Sequence, residues 1–129
     1  MPRILLALFD DSLASPLSQQ LNDLGFECIC ATRVNGTPYE IREKLSDFDG
    51  VLVNLTELIE EDEHVVSAWA LQLPVAGWMA AHDTNISRAV RALKLGAFDV
   101  FHGDLGGSNA DSLWNHVRSN RCELEGRRG

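Results

Sequence analysis

The stretch Asp49-Gly50-Val51-Leu52-Val53-Asn54-Leu55 is where the fold can be read. Its centre, Gly50 to Val53, carries no polar side chain, so the pattern does not alternate as a half-exposed strand would. A short apolar run of this kind reads as a strand, and the run from Arg3 to Phe9 as one covered on both faces. The run from Gly50 ends on Asn54, at the carboxyl end of the strand. Functional groups collect at that edge of an open parallel sheet.

Working outward, similar runs recur at regular intervals. Arg3 to Phe9 (RILLALF) reads as a first strand, Phe26 to Ala31 (FECICA) as a second and Gly50 to Leu55 as the third. Pro74 to Met79 and Ala97 to Phe101 read as the fourth and fifth. Helical spacing fills the gaps between them. Leu17, Leu21 and Leu24 share a face, with Ser15 and Pro16 suited to the helix start and Gly25 to its stop. Thr37-Pro38-Tyr39-Glu40 has capping-box spacing and opens a helix to about Leu45, with Ile41 and Leu45 as its apolar stripe. Residues 60 to 73 open on an acidic turn (Glu60, Glu61, Asp62, Glu63) that suits a helix N-terminus, with Val65, Val66, Trp69 and Leu73 inward. Ile86, Ala89, Val90 and Leu93 form a further stripe, read as the buried face of a helix ended by Gly96. Ala110 to Arg118 closes the series, with Leu113, Trp114 and Val117 inward. Strand and helix alternate five times, which predicts a doubly wound (βα)5 domain with a five-stranded parallel sheet between two helical layers. Residues 1–118 form that domain, and 119–129 (SNRCELEGRRG) read as a polar tail or linker stub.

The bulk properties narrow the function. A chain of 129 residues can bury a core without staples. Its net charge of −8 argues against nucleic acid as a direct partner. No apolar run approaches the roughly 20 residues that span a bilayer. Three cysteines without a CxxC or Cys/His cluster suggest neither a disulfide framework nor zinc, so a reduced, cytoplasmic protein is expected. Cys28 and Cys30 read as small hydrophobes, and His82, Asp83 and His102 as loop residues without a matching nucleophile.

In the order and spacing of its motifs, the chain resembles the receiver domains of bacterial response regulators, which have a flavodoxin-like three-layer fold. Four stretches carry the resemblance: Asp10-Asp11 after the first strand, Leu24-Gly25-Phe26, the strand ending at Asn54, and Ala89-Val90-Arg91-Ala92-Leu93-Lys94-Leu95-Gly96-Ala97-Phe98-Asp99. The resemblance implies a set of parts: an acidic pair and an aspartate that bind Mg²⁺, the same aspartate as phosphoacceptor, a Thr or Ser after strand four, a Lys after strand five, and an aromatic in strand five. Asp10 and Asp11 match the acidic pair. Asn54 stands at the phosphoacceptor position, Met79 (or Ala80 or Ala81) at the Thr/Ser position, Gly103 at the Lys position and Val100 at the aromatic one. An amide cannot form an acyl phosphate, and without the lysine a bound oxyanion lacks its counter-charge.

The expectation is a degenerate receiver domain in a two-component or phosphorelay pathway. It is non-enzymatic, needs no cofactor, and acts on a protein partner without phosphorylation. Two alternatives stand beside it. One is a receiver that still switches through Mg²⁺, phosphate or a displaced acceptor at the acidic pair, where Asp10 and Asp11 read either as a weak Mg²⁺ site or as an acidic loop. The other is a flavodoxin-like module for a small molecule. Arg88, Arg91 and Lys94 on the fourth helix, with Asp99, Asp104 and Asp111 beyond it, are the candidate interface. The resemblance implies a homodimer through helix 4, strand 5 and helix 5.

Overall fold

The computed structural model describes residues 2–9, 11–31, 47–103, 105 and 109–118, with 11–14, 31 and 61 described for the backbone alone. Five strands form one parallel sheet: β1 (Arg3–Ala7), β2 (Glu27–Ala31), β3 (Gly50–Asn54), β4 (Val75–Met79) and β5 (Asp99–His102). Their order across the sheet is β2-β1-β3-β4-β5. The chain order reverses between β1 and β3, which makes the ends of those strands the switch point of a doubly wound sheet. Four helices accompany the strands: α1 (Asp11–Asp23), α2 (Glu63–Ala70), α3 (Ile86–Leu95) and α4 (109–118). The helix expected from Thr37 to Leu45 and the tail from 119 lie outside the described residues.

Each strand divides its side chains between two cores. Ile4, Leu6, Leu52, Ala76, Trp78 and Phe101 pack with Leu17 and Leu21 of α1 and Leu113 and Val117 of α4. Leu5, Val51, Val53, Val75 and Met79 pack on the other face with Val66 and Trp69 of α2 and Ala92 of α3. All five residues of β3 and all five of β4 are buried, which is why those runs show no alternation. The five-stranded parallel α/β architecture expected from the sequence is therefore observed.

Three local expectations differ from the structure. Pro16 lies inside α1, which begins earlier, at Asp11. The residue is exposed, so its ring meets solvent and the cost is one missing N–H donor in the helix ladder. The segment 60–73 is not one helix but a 3₁₀ turn at Glu60–Asp62 followed by α2. Asp62, read as part of a solvated acidic turn, is buried, and its carboxylate accepts the Ile59 N–H (3.3 Å).

The largest difference is in α3. Ile86, Val90 and Leu93, read as its buried stripe, are 76%, 45% and 51% exposed, and Ala92 is the buried residue. Gly96 ends the helix as expected, with φ +112°. At Gly96 a Cβ would come within 2.7 Å of Ala70 Cβ in α2, so α3 sits tight against α2 on its small-residue side. Small residues inward permit that approach, and the bulky ones are left outside.

Gly77 in β4 has a different task. A Cβ there would lie 2.5 Å from Leu55 Cδ1 and 3.0 Å from its Cγ. The missing side chain lets the fully buried Leu55 fold over β4, which brings the turn after β3 down onto the strand ends.

Candidate functional site

The sheet brings the ends of β3, β4 and β5 side by side. Asn54 is in register with Trp78, and Met79 with His102, so Asn54, Met79 and Gly103 stand on three adjacent strands. Asp11 opens α1 beyond β1, and Asp10 and Asp104 lie outside the described residues. Sequence reasoning placed this edge correctly.

Asn54 is completely buried. Its Nδ2 donates to the Leu8 carbonyl (3.4 Å), and its Oδ1 accepts the Thr56 N–H (3.2 Å). Leu8 itself has φ +68°, a left-handed conformation that is costly for a branched side chain, and this turns its carbonyl at the end of β1. The amide thus suits its surroundings in both roles, as donor and as acceptor.

Thr56, which sequence reasoning passed over, is the centre of the arrangement. Its hydroxyl accepts the Ala80 N–H at the end of β4 (3.1 Å) and donates to Asp83 Oδ2 (2.9 Å). Asp83 also accepts the Asn85 N–H (3.0 Å) and lies 3.4 Å from Arg88 Nε. Arg88 Nη1 in turn donates to the Leu55 and Thr56 carbonyls (3.0 and 3.2 Å). The result is a closed ring that joins the turn after β3, the loop after β4 and the first turn of α3. The Asp83 carboxyl is held below its ordinary range first by the Asn85 N–H; burial opposes this, and the Thr56 hydroxyl and then the Arg88 charge add to the lowering. Asp83 had been read as a solvated loop residue. The only sequence signal for this ring is the Asn54-x-Thr56 and Asp83-x-Asn85-x-Ser87 spacing, which marks side chains able to cap a backbone N–H two residues on.

At the lysine position, Gly103 has φ +75°, which a residue with a side chain seldom adopts. Its N–H donates to the Met79 carbonyl (2.9 Å), and its own carbonyl accepts the Trp78 indole N–H (2.7 Å). Met79 is buried in the apolar core. No cationic side chain is therefore supplied from either position.

Among the described residues no group of three His, Cys, Asp or Glu side chains is placed to hold a metal ion. The one oxygen that Asn54 offers is neutral and already accepts the Thr56 N–H. That neutral oxygen is a weak ligand for Mg²⁺, which selects hard, mostly anionic oxygens.

The candidate interface residues are scattered by the structure. Arg88 faces the strand-end ring, and Arg91 pairs with Glu63 of α2 (Nη2 to Oε2, 2.6 Å). Lys94 and Asp111 are exposed. Asp99 is part-buried and accepts the Ser112 hydroxyl (3.4 Å). Arg91 and Lys94 are exposed as expected, and Ile86, Val90 and Leu93 are exposed on the same helix. Cys28 is half-buried, and burial followed by the neighbouring Cys30 pushes its thiol up to about 12, which keeps it protonated and unreactive.

Sheet order, helix placement and strand-end geometry together define the receiver-domain fold of response regulators. Among solved structures, a response-regulator receiver domain protein from Clostridium thermocellum is similar with a TM-score of 0.69 at 14% identity, over 96% of this chain and 99% of that one. A proposed pilus assembly protein (cpaE) from Burkholderia thailandensis gives 0.68 at 18% identity, over 92% and 99%. The N-terminal receiver domain of RstA from Klebsiella pneumoniae gives 0.66 at 15%, over 90% and 98%. Likeness at this identity speaks for the fold alone. No protein-family profile and no curated protein matches the chain. Among the described residues no helix is long and apolar enough to cross a membrane.

Proposed function

We propose that this chain is a non-enzymatic signalling module of the cytoplasm that keeps the receiver fold, has given up phosphotransfer and acts by contact with a protein partner. One observation carries the reading. The positions that would hold nucleophile and counter-charge are Asn54 and Gly103, and the backbone N–H at the end of β4 is already taken by Thr56. A phosphoryl group would find no carboxylate to attack it, no lysine to neutralise it and one donor fewer to receive it. The test is intact-mass measurement after incubation with Mg²⁺ and acetyl phosphate or phosphoramidate. No adduct is expected. A single adduct mapping to Asp10 or Asp11 would replace this reading with a working receiver whose acceptor is displaced.

The surface that suits self-association is the one formed by α3, β5 and α4. Ile86, Val90 and Leu93 project from α3 at i, i+4 and i+7, an apolar stripe left in solvent. Exposed Lys94 on α3 and Asp111 on α4 supply opposite charges on the helices that cover the two faces of the sheet beside edge strand β5. An isologous two-fold contact would bury the stripe against its copy and set lysine near aspartate. Light scattering is expected to show a concentration-dependent dimer that Val90→Asp abolishes. A strict monomer at high concentration would remove the dimer and leave the rest of the proposal standing.

The resemblance to a proposed pilus assembly protein makes such an assembly system one place to seek the partner.

A further inference from the structure

Between the turn after β3 and the first turns of α3 lies an open groove of about 320 Å³. Its floor is apolar, made by Leu55, Leu58 and Ile59, and its sides carry Glu60, Arg88 and Arg91. Ile59 is 44% exposed at one lip, and the still more exposed Ile86 lies next to Asn85 and Ser87 at the other.

Charge at the rim is not balanced. Both arginines are committed within the chain, Arg88 to Asp83 and to the Leu55 and Thr56 carbonyls, Arg91 to Glu63. Among the described residues, Glu57 and Glu60 have no hydrogen bond or ion pair from their side chains. The lining carries Glu60 and Glu63 against Arg88 and Arg91, with Glu57 beside it in sequence. Since Asp83 and Glu63 already pair with the arginines and Glu60 adds to the field on Arg91, the charge left over at the groove is acidic, on a chain whose net charge is −8. The groove is also preorganised. Arg88 ties α3 to the floor-bearing turn and Arg91 ties it to α2, so little ordering remains to be done on binding.

We propose that this groove docks a short basic segment of a protein partner. One apolar side chain of that segment seats against Leu55, Leu58 and Ile59, and its Lys or Arg neighbours lie beside Glu57 and Glu60. The volume suits one such anchor, since ligand cavities begin at about 300 Å³. An apolar anchor flanked by complementary charge is a common way to read a peptide, with the anchor setting affinity and the charges setting specificity. This rests on the reading of the chain as a protein-interaction module and names the chemistry of the partner.

The experiment uses the full ¹⁵N-labelled chain and two synthetic peptides of equal length with the same Leu and Phe anchors. One carries lysines at its polar positions and the other glutamates. The lysine peptide is expected to shift the amides of Leu58, Ile59 and Ser87, and to bind at least ~10-fold more tightly than the glutamate peptide. Glu60→Lys is expected to weaken it ~3–10-fold, in the range of a partly exposed charge pair. Ile59→Asp is expected to abolish binding. Leu71→Asp, at a position 89% exposed and away from the groove, is expected to leave it unchanged. Equal binding of the two peptides, shifts confined to other surfaces, or dilution-dependent shifts of the groove amides without peptide would each overturn the proposal, the last by placing a second copy there. Failure here, with no phosphoryl adduct in the donor experiment, removes the groove and not the module. An adduct removes the module itself.

Discussion

Asn54→Asp is expected to lower stability by about 2–4 kcal/mol at pH 7, even though it restores the residue type that phosphotransfer needs. The side chain at this position is fully buried. Aspartate keeps the bond from the Thr56 N–H, but it turns the contact with the Leu8 carbonyl into oxygen facing oxygen at about the present 3.4 Å. With glycine at 103 no lysine stands near to offset the charge. Burial and the facing carbonyl both disfavour the ionised form, so the folded-state pKa of the new carboxyl rises above its unfolded value near ~3.9. A raised pKa means that the folded state holds its proton longer. The loss is therefore small below about pH 4 and grows as pH climbs from there toward the folded pKa. Urea unfolding at pH 4 and pH 7 checks this, and a variant as stable as the parent at pH 7 would sink it.

Thr56→Val should cost about 1–3 kcal/mol, although the two side chains are nearly the same shape. Valine has no oxygen to accept the buried Ala80 N–H and no hydrogen to give to Asp83. The ring that ties the turn after β3 to the loop after β4 then depends on Arg88 alone. Amide exchange at Ala80 should quicken more than in the centres of β3 and β4, because the opening is local. The deficit moves with pH in the same direction as that of Asn54→Asp, but for the opposite reason, a lowered pKa instead of a raised one. Asp83 has a lowered pKa in the fold, partly through the Thr56 hydroxyl, so its contribution is present above its ordinary value of 3.8 and fades as pH falls through the lower folded value. The deficit of the valine variant should shrink in acid. Unchanged exchange at Ala80 would show that the hydroxyl does not hold the loops together.

The two substitutions probe the same question from opposite sides. Asn54 ends β3 with an amide where a carboxylate would carry charge, and Thr56 holds the end of β4 with a neutral hydroxyl. In a switching site the oxyanion donors must be open to the incoming group. In this chain the end of β4 is closed by a neutral hydroxyl of its own, and Trp78 and Met79 close the backbone of Gly103 in the same manner.

Some of this was legible from residue order and some was not. The runs in β1, β3 and β4 could be read because both faces of each strand are covered, so every side chain is apolar whatever its direction. Asn54 could be placed because it ends such a run, and Gly103 because it follows the short strand β5. In α3 the periodicity grouped Ile86, Ala89, Val90 and Leu93 and assigned them all to the core, but of the four only Ala89 packs against it. A helical stripe says which residues share a face and does not say which face is covered. Thr56 and Asp83 are 27 positions apart and meet only because β3 and β4 are neighbours in the sheet.

By itself, then, the sequence determined the five-stranded parallel architecture and which residue types, Asn54 and Gly103, stand at the ends of β3 and β5. These follow from local burial and residue type, which the order of residues carries directly. The tertiary structure alone decided which side of α3 meets the domain, because that depends on how closely Ala92 and Gly96 let the helix approach α2 and the sheet. It alone decided that Arg88 turns to the Leu55 and Thr56 carbonyls and Arg91 pairs with Glu63 at the surface, while Ile86, Val90 and Leu93 stay in water. Contacts between segments far apart in the chain are chosen by the packing of whole elements, and no local pattern of residues records that choice.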